Sequence, residues 1–236
     1  MDESFLLKPL YSLGEGISAF MLNRKFFDKH PQSFQSNEFL HSLVASKVRL
    51  PIMWMDQVHS AEVQEVHKAK SEVIAAKDGL YSKCPNLILA VKTADCLPLI
   101  LSHKDGHEIS ALHVGWRGLY KGIIEKALSF FKCDLKEVNA WLAPSISVGN
   151  YEVGEDVFYA FVNADNGSIS SFHKTEETGK WLFNLKQESV RRLEQKGVKI
   201  FTNNSCTYKD KKLFYSYRRN GNLKRMVTLI WRDNEK

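Results

Sequence analysis

The sequence has no long apolar run and few cysteines, and each absence excludes a class of protein. No apolar stretch approaches the roughly 20 residues that a bilayer-spanning helix needs, and residues 1–4 begin acidic, unlike a signal peptide. Its cysteines are widely spaced and form no C-x-x-C pair: Cys84, Cys96, Cys133 and Cys206. We therefore expect a cytoplasmic protein with reduced thiols and no membrane partner.

Concentrated positive charge is also missing. The chain carries 33 lysines and arginines against 27 acidic residues, for a formal net charge of +6. The basic residues are scattered, with short clusters at 209–212 and 218–225, and no recognised nucleic-acid motif accompanies them. We predict no nucleic-acid partner, and a basic surface that is compatible with small anionic substrates.

Linkers, internal repeats and low-complexity segments are absent as well. Hydrophobic residues make up 44% of the chain and charged residues 25%, which is typical of a globular protein. A chain of 236 residues is long enough to bury a sizeable core. We predict a single domain that spans residues 1–236.

Apolar patterning predicts a mixture of strands and helices. Continuous apolar runs predict buried strands at 87–91 and 97–101, and Asp105-Gly106 predicts a hairpin turn before another strand at 109–114. Apolar residues at helical spacing predict a helix over 119–131. Further predictions are helices at 38–46, 152–164 and 185–196, and strands at 138–142, 198–202, 213–217 and 226–231. This order predicts an α+β or layered α/β fold with mixed sheets.

A cysteine and two histidines are the strongest candidates for chemistry. Cys96 follows the apolar run 87–93, His113 ends the run 109–112, and His59 lies upstream. One thiolate and two imidazoles are a natural set for a zinc ion with one open position, as in catalytic rather than structural sites. Spacing alone leaves a second interpretation open, in which the cysteine is buried and inert and the histidines belong to the core.

Two neighbouring residues are further candidates. Asp95 precedes Cys96 and could orient a ligand histidine, carry a proton as general acid or base, or cap a turn. Arg117 and Gly118 begin the predicted helix at 119–131, and a helix N-terminus beside an arginine suits an anion such as phosphate. A surface salt bridge is the alternative for Arg117. Three other histidines are expected to be exposed to solvent: His67, His103 and His107.

Six motifs follow one another from about residue 48 to the C-terminus. They are Gln57-Val58-His59, Asp78-Gly79-Leu80, Thr93-Ala94-Asp95-Cys96-Leu97-Pro98, His113-Val114-Gly115-Trp116-Arg117-Gly118, Tyr151-Glu152-Val153-Gly154 and Phe214-Tyr215-Ser216-Tyr217-Arg218-Arg219. Together they resemble the family variously called multicopper polyphenol oxidase (laccase-like), purine nucleoside phosphorylase and peptidoglycan-editing factor. The third and fourth motifs are the most specific.

The resemblance implies a fold, a metal site and an activity. The fold would be the layered α/β/β/α sandwich shared with cytotoxic-necrotizing-factor-like cysteine hydrolases. His59, Cys96 and His113 would bind zinc, with copper as the alternative metal. The activity would be phosphorolysis of purine nucleosides (adenosine, inosine, guanosine and methylthioadenosine) with phosphate, and adenosine deamination at the same site. Within that site we assign Arg117 to the anion and Asp95 to proton transfer.

Two departures from the family pattern stand out. The family usually carries Ser-x-Arg-x-Gly-Gly near its N-terminus, where this chain has Ser18-Ala19-Phe20-Met21-Leu22-Asn23. Phe20 thus replaces the arginine, and both glycines are absent. If the arginine contacts phosphate in the family, this difference argues against phosphorolysis by this chain. A Pro-Cys-Cys stretch often precedes the tyrosine motif, whereas Val148-Gly149-Asn150 stands here.

Three alternative functions remain open. Cys96 could be a nucleophile with His113 as its base, cleaving an amide in a cell-wall precursor. The protein could also keep its metal ligands and serve as a non-catalytic metal-binding module. Copper-based phenol oxidation ranks lowest, because three ligands are too few for several copper centres and His-x-His pairs are missing.

Overall fold

The computed structural model of the chain describes residues 2–34, 50–70 and 72–233. The helix predicted at 38–46 lies outside these residues. Of the helices within them, none has the length and apolar character that crossing a membrane requires.

A mixed sheet of five strands carries both ends of the described chain. In sheet order its strands are β1 (Leu6–Leu7), β2 (Ile17–Leu22), β14 (Met226–Arg232), β6 (Ile88–Thr93) and β3 (Ile52–Met53). Neighbouring strands are antiparallel except β3 and β6, which are parallel. The predicted strands at 87–91 and 226–231 are confirmed, and they are neighbours in this sheet.

A second mixed sheet of six strands carries the predicted hairpin. In sheet order its strands are β13 (Lys199–Thr202), β9 (Val138–Leu142), β7 (Leu97–His103), β8 (Ile109–Val114), β5 (Gly79–Ser82) and β4 (Val63–Glu65). β7 and β8 are antiparallel, from Leu97 opposite Val114 to Ser102 opposite Ile109, which confirms the turn between them. Gly106 in this turn has a φ of 73°, and a Cβ there would lie 1.9 Å from the carbonyl oxygen of Glu15.

The described residues also form a small antiparallel sheet and six α-helices. The sheet contains β10 (Glu152–Gly154), β12 (Lys180–Phe183) and β11 (Phe172–Lys174). The α-helices are α1 (Arg24–Lys29), α2 (Trp116–Tyr120), α3 (Ile123–Leu128), α4 (Glu155–Ala164), α5 (Leu185–Gln195) and α6 (Tyr217–Asn220).

The strand period of two sends alternate side chains of β7 into two different cores. Ile100 packs with Leu89 of the five-stranded sheet, so the two large sheets face each other. Leu99 and Leu101 join the other core, together with Ile124 of α3 and residues of α4 and α5. The mixed α+β fold is therefore confirmed, whereas the closer likeness to cytotoxic-necrotizing-factor-like hydrolases stays a prediction.

The single helix predicted over 119–131 is wrong. The chain forms α2 and α3 instead, and they are separated at Gly122, whose φ of 83° lies in the left-handed region. A glycine adopts this conformation without strain and ends the first helix, although the apolar residues on both sides keep helical spacing. The buried face survives the break, since Leu119 and Ile124 lie in the same core.

Two other segments differ from their predicted structure. Residues 152–154 form β10 rather than the start of a helix, because they pair with β12, and α4 begins only at Glu155. The strand predicted at 213–217 is a turn followed by α6. The carbonyl oxygen of Asp210 accepts the amide of Phe214, and the Ser216 hydroxyl accepts the amide of Arg219, so local hydrogen bonds replace a strand ladder.

Candidate metal and anion site

Cys96 and His113 meet because β7 and β8 are antiparallel neighbours. Cys96 directly precedes β7, and His113 lies opposite Pro98 near the end of β8. The hairpin therefore places the cysteine at the beginning of one strand beside the histidine at the end of the next. His113 is buried, whereas Cys96 is half-buried just before the first residue of β7. The register of the hairpin brings these two predicted ligands together.

His59 reaches the same point from a loop that the carboxylate of Asp78 holds. This carboxylate is fully buried and accepts hydrogen bonds from the amides of Val58 (3.2 Å), His59 (3.0 Å) and Ser60 (2.6 Å), and from the Ser60 hydroxyl (2.8 Å). His59 has a φ of 59°, an uncommon conformation for a residue with a side chain. Three converging amides stabilise this turn, which directs His59 towards Cys96.

Asp78 also orients His113. The Nδ1–H of His113 donates to Oδ1 of Asp78 at 2.7 Å, which leaves Nε2 of the ring as the nitrogen available to a metal ion. Burial opposes ionisation of Asp78, but hydrogen bonds from His113 and Ser60 outweigh it and lower its pKa to about 2. The carboxylate is thus charged at neutral pH and holds two of the three candidate ligands.

The three ligand atoms fit a zinc ion. One ligand atom each from His59, Cys96 and His113 lies within 4.8 Å of the others, and the Cys96 Sγ is 3.9 Å from the His59 Nε2. Bond lengths to tetrahedral zinc place a sulfur and a nitrogen ligand about 3.6 Å apart. A small contraction therefore brings this donor set to zinc geometry, and a soft thiolate beside imidazoles suits zinc or copper. His59 is exposed, so solvent reaches one side of the site.

The thiol and the buried imidazole are coupled electrostatically. Burial raises the pKa of the Cys96 thiol, but His113 and His59 outweigh it, and the pKa is lowered. The pKa of His113 is raised against the effect of burial, by the Cys96 thiolate and by Asp78. The site therefore favours the thiolate, which is both the metal ligand and the nucleophilic form of cysteine.

The glycines of the His-Val-Gly-Trp-Arg-Gly motif leave room for the site. A Cβ at Gly115 would lie 3.0 Å from the His59 Cδ2 and 3.2 Å from the Cys96 Sγ. A Cβ at Gly118 would lie 2.6 Å from the Ser60 carbonyl oxygen. Both glycines therefore permit the close approach of the His59 loop to the start of α2, a steric reason for this spacing.

The candidate ligands lie in a wide, basic cleft of about 1160 Å³. Aromatic side chains in its lining include Trp54, Trp116 and Tyr151, and the cationic ones are Lys92, Arg117, Arg218 and Arg225. The Arg117 guanidinium lies 4.4 Å from the ring centroid of Trp116, and the Lys92 ammonium lies 4.6 Å from that of Trp54. Among the described residues of the lining, four cations outnumber the carboxylates of Asp56 and Asp95, which makes the cleft suitable for an anionic substrate.

Arg117 lines the cleft, but the helix that begins beside it is short. α2 has five residues, so a long helix dipole does not contribute to anion binding at this point. The side chain of Arg117, rather than the helix terminus, is the feature that suits an anion. Its assignment to phosphate stays a prediction.

Asp95 lies beside the cleft with both carboxylate oxygens engaged. Its oxygens accept the Thr207 hydroxyl (2.7 Å), the Ser216 hydroxyl (3.0 Å) and the amide of Arg218 (2.7 Å). Its φ of 90° is uncommon for a residue with a side chain. Asp95 thus ties the C-terminal motif to the start of β7 and positions Arg218 on the cleft. Its role in proton transfer stays a prediction.

Two features are not predicted from the sequence. Asp78 is named there only within the motif Asp78-Gly79-Leu80, although an acidic residue directly before a buried strand is a signal for a charged partner nearby. His103 is 3% exposed, so its predicted exposure to solvent is wrong, because it ends β7 beneath the neighbouring turn. His67 and His107 are exposed, as predicted.

Comparison with known proteins agrees with this architecture. A crystal structure of a Neisseria meningitidis protein matches with a TM-score of 0.88 at 28% identity, covering 98% of this chain and 100% of that one. The structure of YlmD from Geobacillus stearothermophilus matches with a TM-score of 0.82 at 20% identity, over 99% of this chain and 98% of the other, which supports the fold alone.

Curated relatives share the sequence over most of its length. A Haemophilus influenzae protein named purine nucleoside phosphorylase is 35% identical over 194 residues, which is 80% of this chain and 79% of the relative. The Escherichia coli protein named purine nucleoside phosphorylase YfiH is 37% identical over 182 residues, 76% of this chain and 73% of the relative. The family model described as multi-copper polyphenol oxidoreductase laccase matches residues 22–233. The chain therefore belongs to this laccase-like family, whose curated relatives include proteins named purine nucleoside phosphorylase.

Proposed function

We propose that this protein is a zinc-dependent purine nucleoside phosphorylase. The observation that carries the proposal is the convergence of His59, Cys96 and His113 in a cleft lined by four cationic side chains. A nucleoside and inorganic phosphate need an aromatic and a cationic environment respectively, and the cleft offers both. The names of the relatives support the same activity. Its substrates are adenosine, inosine, guanosine and methylthioadenosine, and adenosine deamination is a second activity of the site.

His59, Cys96 and His113 would hold the metal, zinc by preference and copper as the alternative. A bound zinc would supply a Lewis acid that polarises a substrate oxygen. Asp78 keeps the proton on Nδ1 of His113, so that Nε2 retains its lone pair for the ion. Asp78 also holds the backbone amides around His59, and the two histidines are therefore oriented by one buried carboxylate.

The cationic side chains of the cleft would bind phosphate. In phosphorolysis an oxygen of hydrogen phosphate forms a bond to C1′ of the ribose, and the bond from C1′ to the purine nitrogen breaks. The proton that the phosphate loses ends on the base, which leaves beside ribose 1-phosphate. Arg117 and Arg225 are the candidates for phosphate, since a guanidinium can bind two of its oxygens at once. Tyr151 and Trp116 supply aromatic surface for the base.

The departure near the N-terminus does not remove a cation from this cleft. Phe20, which stands where the family usually carries arginine, packs edge-on against Trp231 with 5.4 Å between ring centroids. Both side chains line a second cavity, separate from the one that holds the ligands. Phosphate binding as proposed here depends on cations from the other motifs, so it is compatible with phenylalanine at this position.

The test is turnover of adenosine by zinc-loaded protein, with and without phosphate, with products identified by mass spectrometry. We expect adenine and ribose 1-phosphate only when phosphate is present, inosine from deamination, and neither from Cys96→Ala. Cys84→Ala is the matched control, because Cys84 is a free cysteine that lies outside the lining of the cleft. Metal binding and turnover that both survive in Cys96→Ala would contradict the site.

A second candidate function is a cysteine amidase acting on a cell-wall precursor. It is favoured by one observation, the coupling of a lowered Cys96 pKa to a buried imidazole. Covalent trapping of Cys96 by an electrophilic substrate analogue, without a need for metal, would support it. Zinc-bound protein that converts neither nucleosides nor such precursors would instead indicate a metal-binding module.

A further inference from the structure

A second group of possible metal ligands lies at the opposite end of β7. His103 is the last residue of this strand, Glu137 directly precedes the neighbouring β9, and Cys133 lies in the loop after α3. Backbone hydrogen bonds align these elements, since the Lys104 amide donates to the Glu137 carbonyl oxygen. From Cys96 to His103 the extended chain covers about 23 Å, so this cluster is independent of the cleft.

The three side chains are close enough to share one ion. Their ligand atoms all lie within 4.8 Å of one another, and the His103 Nε2 is 3.4 Å from the Glu137 Oε2. The other Glu137 oxygen contacts the Lys104 ammonium at 2.9 Å and leaves Oε2 directed at the imidazole. Donors of a tetrahedral zinc lie about 3.3 to 3.6 Å apart. Cys133 follows a helix end in a loop, where a movement of about 1 Å is inexpensive.

His103 changes tautomer when an ion binds its Nε2. Its Nδ1 accepts the amide of Asp105 at 3.1 Å, so the neutral ring carries its proton on Nε2, towards Glu137. An ion at Nε2 takes the place of that proton, and the ring then carries a proton on Nδ1. The Asp105 amide lies in an exposed turn and can donate to water instead.

A buried carboxylate, that of Glu108, lies next to the cluster. Glu108 is 3% exposed, and its carbonyl oxygen accepts a hydrogen bond from the backbone amide of His103. One oxygen of its carboxylate contacts Lys83 at 3.1 Å. The other, Oε2, is buried, and the Tyr81 hydroxyl interacts with the same carboxylate, which raises the pKa of Tyr81. A cation bound at the cluster would add to the positive charge that Lys83 supplies to this carboxylate.

We propose that His103, Cys133 and Glu137 form a second metal site of the zinc type, distinct from the ligands in the cleft. The donor set of one imidazole, one thiolate and one carboxylate suits zinc. Its three ligands come from β7, the loop after α3 and the turn before β9. A bound ion therefore joins elements that are distant in sequence and stabilises this end of the sheet. The fourth position belongs to water or to His107, whose ring centroid lies 4.0 Å from that of His103.

The test uses a protein in which the ligands of the cleft are removed, His59→Ala with Cys96→Ala. Zinc stoichiometry is measured by isothermal titration calorimetry, and cobalt(II) serves as a probe, because a thiolate ligand gives it an intense near-ultraviolet band. We expect two zinc ions for the unaltered protein and one for the double variant, whose cobalt band is retained. Adding Cys133→Ser removes this ion and the band, whereas adding Cys84→Ser leaves both unchanged.

A second substitution separates loss of a ligand from loss of folding. Glu137 is at the surface, so Glu137→Gln in the same background should fold normally and weaken zinc binding by about 10-fold or more. Zinc should also raise the melting temperature of the double variant, and Cys133→Ser should abolish this increase without changing the metal-free melting temperature. One zinc ion in the unaltered protein and none in the double variant would overturn the proposal. A cobalt band that persists after Cys133→Ser would do so as well.

Discussion

Replacing Asp78 by asparagine should separate two contributions of one side chain, to stability and to metal binding. Asp78 Oδ1 accepts the His59 amide and the His113 ring, and Oδ2 accepts the Val58 amide and both donors of Ser60. Asparagine offers one oxygen and one amino group in the same shape. Whichever way the amide points, at least two buried donors lose their acceptor.

The expected loss of stability follows from that count. A buried donor without a partner costs about 1–3 kcal/mol, so Asp78→Asn should lower the free energy of unfolding of the metal-free protein by about 2–6 kcal/mol. Zinc affinity should fall by about 10- to 100-fold, because His113 loses the partner that keeps its proton on Nδ1. Urea denaturation in the presence of a chelator measures the first quantity, and competition with a zinc-binding dye measures the second.

Glu62→Gln is the matched control. Glu62 carries a carboxylate in the same loop, but its side chain is half exposed and pairs with Lys126 and Lys77 at the surface. Such pairs contribute about 0–1 kcal/mol, so this variant should keep both its stability and its zinc affinity. Asp78→Asn that stays within about 0.5 kcal/mol of the unaltered protein and binds zinc equally well would refute the reasoning.

The same variant predicts a dependence on pH. Burial opposes ionisation of Asp78, but hydrogen bonds from His113 and Ser60 lower its pKa from 3.8 to about 2. A carboxyl group whose pKa is lower in the folded than in the unfolded protein stabilises the fold. This stabilisation is complete above the pKa of the unfolded state and is lost as pH falls through the pKa of the folded state. This contribution is about 2 kcal/mol. The stability difference between the unaltered protein and Asp78→Asn should therefore shrink between pH 4 and pH 2, and a constant difference would contradict the assignment.

Three further predictions address other parts of the molecule. Gly115→Ala should weaken zinc binding by about 10-fold in the competition assay, because its Cβ would lie 3.0 Å from His59 and 3.2 Å from Cys96. Gly149→Ala is the control and should bind zinc normally, because the space around its Cβ is open. Glu188→Gln should lower the free energy of unfolding by about 3 kcal/mol in urea denaturation, since it leaves two half-buried arginines without their shared carboxylate. Burial opposes ionisation of Glu188 but the arginines lower its pKa below the ordinary 4.5, so its stabilisation should be complete above that pH and lost as pH falls through the lowered pKa. Arg117→Gln should raise the Michaelis constant for phosphate by about 10-fold and leave that for the nucleoside unchanged in steady-state kinetics, and an unchanged phosphate constant would exclude it from the anion site.

The sequence predicts the centre of the fold well because local patterning decides it. The apolar runs of β6, β7 and β8 are continuous, and the Asp105-Gly106 turn joins two of them with the register that places Cys96 beside His113. The helix at α5 is predicted within a residue or two for the same reason, since it ends at a glycine with a φ of 77°. The predictions are wrong over 119–131 and at 152–154, where a left-handed glycine, Gly122, and a strand partner decide the structure.

The class of fold, the central hairpin and the three candidate metal ligands can be predicted from the apolar patterning and the motifs. How these ligands are held depends on contacts between distant parts of the chain. Asp78 lies 18–20 residues from the loop it binds and 35 residues from His113, and Asp95 contacts residues more than 100 positions away. The periodicity of apolar residues predicts which face of a helix or strand is buried. The role of a buried charged residue depends instead on the hydrogen-bond donors that surround it. Those donors are brought together only when the sheets pack.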